Sequence, residues 1–537
     1  MKHGRWEISG YDRDRAVCLV KRGVNPLLAV LLSSRKFNDE KIQVLLGREE
    51  RKVYDPFLFE DMHRAVDRIK TALNAGEKIA VYGDYDADGI TSACLLTDYL
   101  RSKGADCTLY IPDRIEEGYG LHRDAVEKLS LMGTGLIITV DCGITAVEET
   151  EYAKSLGVDV IITDHHQCGE CIPEVPAINP KRPDCAYPEK SLAGVGVAFK
   201  LICAIEGPEN TDKLLDEYSD IVAIGTIADV MDVTDENRTF IQRGLEKIRS
   251  GGRVGITALC QAAGLDLSKI NSNAVGYIIA PKINAAGRIG DTKAAVDLIL
   301  SKSMAKAQKY AEQLCALNRQ RQVLEGDMFR QAVEMIEKQP ENPGPIILSS
   351  EQWHQGIAGI VASRLAEKYH RPAVVICVKD GVGRGSCRSF GSFDLFKAIE
   401  AASMYLENYG GHTSAAGITV DSRNIDNFKE KFTDYYMEHS GGEEITVYNI
   451  DFEVIKPGLL TLENLEALRE LEPYGNGNPV PMLCIIGARV MNVMSLSGGK
   501  HTKIKIAKNG EIFWPLAGGT SGILWRYGRH CLSAPNQ

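Results

Sequence analysis

The chain has 537 residues, more than one hydrophobic core usually supports, so three or four domains are expected. Its 44% hydrophobic and 25% charged residues are ordinary for a globular protein. The net charge of −10 argues against a protein that coats nucleic acid non-specifically. It still allows a nucleic-acid enzyme with a local basic channel and carboxylates that bind metal.

The N-terminal residues do not have the pattern of a signal peptide, and no apolar run reaches the roughly 18 residues of a membrane helix. We therefore expect a cytoplasmic protein. The 14 cysteines are scattered, which favours reduced thiols. Cys168 and Cys171 form a C-x-x-C pair, but no second pair stands at zinc-site spacing, so structural zinc is not expected.

Residues 1–75 are predicted to be a helical segment without catalytic residues. Pro26–Ser33 is an apolar stretch, and Asp39–Leu46 is predicted to be a helix with Asp39 as its N-cap. Met62–Leu73 carries apolar residues at helical spacing.

From residue 78 to about residue 180, strand and helix patterns alternate. This rhythm predicts a mostly parallel sheet with helices on both faces, and such sheets bind ligands at the carboxyl ends of their strands. The predicted strands are 78–83, 107–111, 136–140, 159–163 and 175–178, and the predicted helices are about 91–103, 122–131 and 144–156.

Three carboxylates follow the first of these strands, in the sequence KIAVYGDYDADGITS. Asp84, Asp86 and Asp88 alternate, so in an extended segment they point the same way and repel one another. A hard divalent cation would neutralise them. The alternative is a surface turn rich in aspartate and glycine.

Two other strands deliver similar groups to the same edge. LIITV ends in Asp141, and VDVIIT ends in Asp164, His165 and His166. An apolar helix at 221–230 contains Asp229, which must be paired, capping a helix end or ligating a metal. Three coincident strand-end clusters favour a metal site over scattered surface polarity.

Residues 303–337 are predicted to be one long helix with an apolar stripe, and Asn318 and Arg321 near its middle are candidates for contacting a passing strand. The alternative is a solvated helix face. Residues 345–440 return to strand–helix alternation. Glycines around His412 would let backbone amides approach a phosphate, although a tight turn is the alternative.

From about residue 446 the pattern is all-β and is typical of an OB-like barrel that could bind single strands. After Ile512 no strand alternation is visible. We therefore expect a truncated or frameshifted C-terminus, with a frayed and poorly packed end after about residue 513.

The segments GDYDADG, VDCG, TDHH and AIGTIADV, in this order, resemble the four motifs of the DHH phosphoesterase superfamily. Four later segments look like those of its RecJ branch, the single-strand-specific DNA exonucleases. They are KINAAGRIGD at 282–291, WHQGIAGIVASRL at 353–365, GRGSCRS at 383–389 and GGHTSAAG at 410–417. The resemblance runs from about residue 5 to residue 505.

The resemblance implies an α/β fold in which a parallel-sheet DHH domain is joined by a long helix to a second α/β domain, DHHA1, followed by a β-rich OB-like domain that is incomplete. The implied divisions are a helical segment 1–75, the DHH domain 76–300, the connecting helix 301–340, DHHA1 341–442 and the OB-like domain 443–537.

The resemblance also implies two divalent ions, Mn²⁺ or Mg²⁺. One position departs from the family, because some members carry histidine where this chain has Tyr82. The implied catalytic residues are Asp164, His166 and Asp141, with His166 against the scissile phosphate. The implied metal ligands are Asp84, Asp86, Asp88, Asp141, His165 and Asp229, with Asp84 and Asp164 ligating or orienting.

Arg114 follows a strand, and its guanidinium group could donate two parallel hydrogen bonds to a phosphate. The alternative is that Arg114 belongs to an ordinary surface loop. Given the resemblance, Arg114, Ser386 and Arg388 are expected to grip a terminal 5′ phosphate, while Gly287 and Arg288 touch the DNA backbone. The full set of expected nucleic-acid residues is Arg114, Gly287, Arg288, Asn318, Arg321, Ser386, Arg388, Gly410, Gly411 and His412.

The leading hypothesis is a monomeric, metal-dependent exonuclease that degrades single-stranded DNA from 5′ to 3′ in repair and recombination. A helicase and a single-strand-binding protein are candidate partners. One alternative is a phosphodiesterase acting on short oligoribonucleotides, pAp or cyclic dinucleotides; substrate length dependence would distinguish it. Another is a catalytically silent nucleic-acid-binding relative, which a divalent-metal titration would distinguish.

Overall fold

The computed structural model describes most of the chain. The described residues are 4–47, 53–338, 344–440, 446–496, 501–513, 516–518, 525–526 and 529–533. The chain divides into two compact units. We call Met1–Val53, Val230–Gln242 and Ile445–Gln537 the β-rich unit, and Tyr54–Asp229 with Arg243–Glu444 the α/β unit.

The strands of the described residues, in chain order, are β1 Gly4–Ile8, β2 Ile79–Gly83, β3 Cys107–Tyr110, β4 Leu136–Val140, β5 Asp159–Thr163, β6 Ala177–Ile178, β7 Ile346–Ser350, β8 Ala373–Lys379, β9 Val382–Arg388, β10 Asn408–Gly411, β11 Ala415–Asp421, β12 Thr446–Ile450, β13 Phe452–Glu453, β14 Met482–Ile486, β15 Arg489–Leu496, β16 His501–Lys508, β17 Glu511–Phe513, β18 Leu516–Gly518, β19 Trp525–Arg526 and β20 Arg529–Ser533.

The α-helices are α1 Arg13–Lys21, α2 Pro26–Ser34, α3 Asp39–Leu45, α4 Met62–Ala75, α5 Ala87–Ser102, α6 Arg123–Leu131, α7 Val147–Ser155, α8 Gly194–Glu206, α9 Thr211–Ala228, α10 Asp235–Arg249, α11 Val254–Ala262, α12 Ser272–Ala274, α13 Ala280–Ile289, α14 Lys293–Ile299, α15 Met304–Glu337, α16 Gln355–Tyr369, α17 Leu395–Ala401, α18 Ile425–His439 and α19 Leu462–Ala467. None of the described helices combines the length and apolar character needed to cross a membrane.

The α/β unit contains the predicted parallel sheet, in the strand order β3-β2-β4-β5-β6. Every neighbouring pair in this sheet runs parallel. All residues of β2 and β4 are buried, as continuous apolar strands require when helices cover both faces. The predicted fold class is confirmed here, and each of the five strands begins and ends within two residues of its prediction.

The predicted apolar helix around 221–230 is the second half of α9. The helix ends at Ala228, and Asp229 occupies the C-cap position, where its backbone N–H donates to the Gly225 carbonyl at 2.9 Å. The prediction that the helix contains Asp229 is therefore wrong by one residue. Because the backbone of Asp229 serves as the cap, its carboxylate remains free for another role.

The long helix predicted at 303–337 is α15, which precedes the second sheet of the α/β unit. This sheet has the order β10-β11-β9-β8-β7. Only β7 and β8 run parallel within it; the other neighbours are antiparallel. Helix α16 packs against β8 and β9, so the strand–helix alternation predicted for 345–440 is confirmed.

The β-rich unit begins with a strand that the sequence did not predict. β1 pairs in parallel with β12, more than 400 residues later, so the expectation that residues 1–75 are helical is wrong for Gly4–Ile8. A local sequence pattern cannot reveal so distant a partner. The predicted cap of α3 is also wrong, because the side chain of Asn38, not Asp39, accepts the hydrogen bond from the Lys41 N–H at 2.8 Å.

Two further sheets follow, β13-β14-β20-β19 and β15-β16-β17, with β18 paired to β16. β20 pairs with β14 along five residues, so the expected lack of strands after residue 513 is wrong for 516–518, 525–526 and 529–533. Ladder hydrogen bonds join backbone groups and therefore do not require alternating side chains. The rest of that prediction concerns 514–515, 519–524, 527–528 and 534–537, which lie outside the described residues.

Candidate active site

The structure brings the predicted acids and imidazoles together at the carboxyl end of the parallel sheet. Their possible ligand atoms form three overlapping groups, each spanning no more than 4.8 Å. The groups are Asp84 with Asp86 and Asp141; Asp88 with His165 and Asp229; and Asp141 with His165 and His166. The convergence predicted from three strand ends and α9 is therefore observed.

Two of the three aspartates after β2 are held by helix N-termini. Asp86 is the N-cap of α5, and its side chain accepts a hydrogen bond from the Gly89 N–H at 3.0 Å. Asp88 accepts hydrogen bonds from the Gly194 and Val195 N–H groups, at 2.7 and 3.0 Å, at the start of α8. Helix N-termini carry partial positive charge and unsatisfied donors, so they stabilise these carboxylates.

Asp141 follows β4 and has a left-handed backbone conformation, with φ of 61°. Its N–H donates to the Thr163 carbonyl at 3.0 Å, which continues the β4–β5 ladder one residue beyond the strand. Gly194 lies directly against it, since a Cβ atom on Gly194 would be 2.6 Å from the Asp141 Cβ. The site therefore needs glycine at residue 194.

Several possible ligand atoms of the cluster have no hydrogen-bond partner among the described residues. Asp84 Oδ1, Asp141 Oδ1, His165 Nε2 and Asp229 Oδ2 are buried and make no hydrogen bond among the described residues. His165 Nε2 lies 3.1 Å from Asp141 Oδ1 and 3.5 Å from Asp229 Oδ2. Atoms that converge in this way without partners suit a bound cation.

The pKa values of these groups reflect their burial and the repulsion among the carboxylates. Burial, with added repulsion from neighbouring carboxylates, raises the pKa of Asp84, Asp88 and Asp141 well above the usual range. Burial and the charge of Asp86 raise the pKa of Asp229 to about 7. Burial lowers the pKa of His165 to about 3, so its imidazole is neutral, which is the form that binds metal. Oxygen ligands with one imidazole fit Mn²⁺ or Mg²⁺.

Asp164 has a different role from the other acids. Its Oδ2 accepts from the Ile144 N–H at 2.9 Å, and its Oδ1 accepts from the His165 and His166 N–H groups at 2.7 and 3.0 Å. The same oxygen lies 2.8 Å from His166 Nδ1. Burial raises the pKa of Asp164, but its hydrogen bond with His166 and the neighbouring charges outweigh burial and hold this pKa below the usual value. Of the two roles predicted for Asp164, orienting fits this geometry better than ligating.

Three residues around the cluster were missed by the sequence analysis. The hydroxyl of Tyr119 lies 3.0 Å from His166 Nδ1. Asn284 Oδ1 accepts from the Ala87 N–H at 2.8 Å, and Gly194 leaves room for Asp141. Asn284 lies in the quoted NAAGR motif and could have been found there, whereas the other two contacts depend on the fold.

A cavity of about 590 Å³ lies beside the cluster in the α/β unit. Of the expected nucleic-acid residues, Arg114, Ser386 and Gly410 line it. Tyr85, Tyr119, Tyr409, Gly356 and Arg384 also line it, so its wall combines aromatic, cationic and backbone groups.

Arg114 and Arg384 line this cavity, and the charge of Arg114 acts on further arginines nearby. Burial, and then the charge of Arg114, lowers the pKa of Arg288 to about 10, and Arg321 and Arg388 add to the repulsion. The pKa of Arg388 is also lowered, first by burial and also by Arg114. Guanidinium groups that repel one another in this way favour a bound anion, such as a phosphate.

The remaining expected residues have other contacts. Gly287 is buried, and a Cβ atom there would lie 2.1 Å from the Tyr85 carbonyl oxygen, so close packing accounts for this glycine. Arg321 donates to Asn318 Oδ1 at 2.9 Å and to Glu325 at 2.5 Å. Gly411 and His412 are exposed and do not line the described cavity. Contact of these residues with DNA stays a prediction.

We expect Gly194→Ala to lower the affinity for Mn²⁺ by about tenfold or more, as changes beside metal ligands commonly do. The added methyl group would lie 2.7 Å from Asp141 Oδ1 and displace that carboxylate. Calorimetric titration with Mn²⁺ measures the effect. Gly196→Ala, whose nearest neighbour would be a Leu192 methyl at 3.3 Å, is the matched control. Equal affinities of the two variants would contradict the prediction.

Comparisons with known proteins agree with the domain organisation. The DHH family N-terminal domain matches residues 78–226, the DHHA1 domain matches 342–438 and the RecJ OB domain matches 450–534. The predicted β-rich OB region is confirmed by the third match.

The single-stranded-DNA-specific exonuclease RecJ of Bacillus subtilis is 39% identical over 509 residues, which cover 94% of this chain and 64% of that protein. This chain therefore spans slightly less than two thirds of that relative. The RecJ of Dickeya dadantii is 35% identical over 505 residues, covering 89% of this chain and 87% of that protein.

Among solved structures, RecJ from Thermus thermophilus in complex with Mn²⁺ superposes with a TM-score of 0.82 at 30% identity, covering 99% of this chain and 78% of that one. An exonuclease RecJ bound to manganese has a TM-score of 0.62 at 36% identity, covering 71% of this chain and 95% of that one. The shared domains, the extent of identity and the common fold establish that the chain belongs to the RecJ family.

Proposed function

We propose that this chain is a metal-dependent exonuclease that degrades single-stranded DNA from its 5′ end. The observation that supports this most directly is the cluster of buried carboxylates, in which Asp84 Oδ1, Asp141 Oδ1 and Asp229 Oδ2 make no hydrogen bond among the described residues. Such a cluster is costly unless a cation occupies it. The related RecJ proteins of Bacillus subtilis and Dickeya dadantii are single-stranded-DNA-specific exonucleases by name, and solved structures of RecJ from Thermus thermophilus are complexes with Mn²⁺ or Mg²⁺.

Two divalent cations bound here would supply an activated water and offset the charge of the phosphodiester. Asp141 and His165 each belong to two of the three groups, so both lie where the groups overlap. The residues that would hold the cations are Asp84, Asp86, Asp88, Asp141, His165 and Asp229.

His166 would act on the leaving group. Its Nδ1 is held by Asp164, so its Nε2 is the nitrogen left for a substrate oxygen. Burial lowers the pKa of His166, but the hydrogen bond and charge of Asp164 outweigh burial and raise this pKa above its usual value. A larger share of His166 is then protonated near neutral pH, which suits a proton donor to the departing oxygen.

The neighbouring cavity would take the end of the strand. Arg114 and Arg384 line it and supply cationic groups, and the hydroxyl of Ser386 is an additional donor. Arg388 lies close enough to Arg114 for the two charges to repel each other. A terminal 5′ phosphate carries more charge than an internal one, so an arginine cluster favours a strand end over the middle of a strand. The exposed phenol ring of Tyr119 offers a surface on which a base could stack.

The test uses a 5′-phosphorylated, 3′-labelled single-stranded oligonucleotide with Mn²⁺. The same strand in a blunt duplex and a dinucleotide are compared beside it. We expect stepwise loss from the 5′ end of the single strand, little loss of the duplex and no activity in the presence of EDTA. Cleavage of the dinucleotide alone would replace this proposal with a small-substrate phosphodiesterase. Binding without cleavage would replace it with a silent nucleic-acid-binding protein.

A cytoplasmic location, a monomeric state, and a helicase or single-strand-binding protein as partners stay predictions. They follow from the family resemblance. Sedimentation of the purified chain would measure its oligomeric state directly.

A further inference from the structure

The loop of residues 113–120, which we call the Tyr119 loop, is held by a dense set of its own hydrogen bonds. Asp113 Oδ1 accepts from the Ile115 and Glu116 N–H groups at 2.7 and 2.9 Å. Glu117 accepts from the Asp113 N–H and from the Tyr110 hydroxyl, both at 2.6 Å. These bonds join residues 113–117 to one another and to Tyr110 at the end of β3.

Two more residues of the α/β unit hold the loop from outside. The Tyr82 hydroxyl donates to the Gly120 carbonyl at 2.8 Å, so the residue that replaces a histidine of some family members supports this loop. Arg384 on β9 donates to the Ile115 carbonyl at 2.7 Å. The loop is thereby fixed against the parallel sheet on one side and the second sheet on the other.

Tyr119 extends from this loop to His166. Its hydroxyl lies 3.0 Å from His166 Nδ1 and 3.4 Å from the Asp141 carbonyl oxygen, and the two rings meet edge to face. His166 Nδ1 is also 2.8 Å from Asp164 Oδ1. One ring nitrogen thus faces two oxygen atoms that come from different parts of the chain.

The protons can be assigned among these atoms. A carboxylate only accepts hydrogen bonds, so a proton on Nδ1 points towards Asp164 and is shared with the Tyr119 oxygen. The hydroxyl proton of Tyr119 is then free to point to the Asp141 carbonyl. Two acceptors on the same side of the ring fix its rotation more tightly than one, and they keep Nε2 directed to the substrate side.

We propose that Tyr119 is a positioning residue for His166 and ties the orientation of that imidazole to the loop that carries Arg114. The inference rests on the proposed nuclease function. Arg114 and Tyr119 are five residues apart in one cross-linked loop, so a strand end held by Arg114 also steadies His166. The chemical step then depends on how the strand end is bound.

Tyr119→Phe removes only the hydroxyl. We expect kcat on 5′-phosphorylated single-stranded DNA to fall about tenfold, the usual scale for losing one hydrogen bond in an organised site. KM should change less than about twofold, because the ring that faces the cavity remains. Tyr152→Phe, the same change in a partly buried tyrosine of α7, is the matched control and should leave kcat unchanged.

A readout without turnover separates positioning from damage to the metal centre. Calorimetric titration with Mn²⁺ and thermal unfolding should give the same values for Tyr119→Phe and the unsubstituted chain. A large loss of Mn²⁺ affinity in Tyr119→Phe would overturn the inference, because the hydroxyl would then support Asp141 and not His166.

The link to the loop is tested by Glu117→Gln. An amide keeps one acceptor but turns its NH₂ group towards the Tyr110 hydroxyl or the Asp113 N–H, which loosens the loop. We expect Glu117→Gln to lower kcat several-fold when it is introduced alone. When it is introduced into Tyr119→Phe, it should lower kcat little further. If the loss of kcat in the double variant equalled the product of the losses in the two single variants, the link between the loop and Tyr119 would be rejected.

The outcomes distinguish this inference from the proposed function. An unsubstituted chain that cleaves no DNA with Mn²⁺ would reject the proposed function and the inference with it. An active chain in which Tyr119→Phe has unchanged kcat, or only a raised KM, would reject the inference alone.

Discussion

Asp141→Asn is expected to reduce exonuclease activity by at least about a hundredfold, since removing a central charge from a preorganised metal site costs at least as much as removing a single oxyanion-hole donor. The Asp141 side chain is only 3% exposed, and its Oδ1 lies 3.1 Å from His165 Nε2. Asparagine is a better replacement than alanine. It keeps the shape and tolerates the left-handed backbone at residue 141, so the variant tests the charge alone.

The same variant should be at least as stable as the unsubstituted protein when no metal is present. Repulsion from Asp88, Asp86 and Asp84 adds to the burial cost of the Asp141 carboxylate, and asparagine removes that repulsion. Thermal unfolding with EDTA and with Mn²⁺ measures both effects. We expect Mn²⁺ to raise the Tm of the unsubstituted protein strongly and that of Asp141→Asn weakly.

Asp106→Asn is the matched control, because Asp106 is an exposed aspartate at the opposite, amino end of the same sheet. It should retain full activity and the full Mn²⁺ effect on Tm. If Asp141→Asn kept more than a tenth of the activity, the assignment of the metal centre would be rejected.

Much of this site could be predicted because its acids follow strands whose burial the sequence reveals. β2 and β4 are continuous apolar runs, and a parallel sheet places the ends of such strands at one edge. Asp84 and Asp141 could therefore be placed near each other although 57 residues separate them in the sequence. Local periodicity together with one topological rule was sufficient.

The features that were missed depend on contacts between distant segments. β1 and β20 were not predicted as strands, and each pairs with a strand far away in the sequence, β12 and β14 respectively, so nothing local indicated these pairings. The need for glycine at residue 194 arises from the approach of α8 to Asp141, and the contact of Tyr119 with His166 arises from a loop conformation. Residue type alone cannot show either of these approaches.

Arg114→Gln is expected to abolish most of the preference for a 5′-phosphorylated end. Arg114 lines the cavity, stacks over the Tyr85 ring at 4.7 Å, and lowers the pKa of both Arg288 and Arg388. A hydrogen bond to a charged group contributes about 1.5–3 kcal/mol, which corresponds to roughly 10- to 150-fold in affinity. We therefore expect kcat/KM on the phosphorylated strand to fall within that range.

The 5′-hydroxyl form of the same oligonucleotide provides the control within each enzyme. It lacks the terminal phosphate, so Arg114→Gln should change its kcat/KM much less, and the ratio of the two substrates should approach one. Arg423→Gln is the protein control, because Arg423 is an exposed arginine that pairs with Asp421 at the surface of the same unit. Equal losses on both substrates would assign Arg114 to the strand as a whole, and the terminal-phosphate role would be rejected.

The two variants also separate the two halves of the proposed function. Asp141→Asn removes charge from the cation cluster and should affect both substrates equally, because every phosphodiester needs the same metal centre. Arg114→Gln leaves the groups of the metal cluster intact and should act only where a terminal phosphate is present. Since Arg114 and Tyr119 share one loop, a fall in kcat as well as a rise in KM for Arg114→Gln on the phosphorylated strand would indicate that binding of the strand end and alignment of His166 are linked.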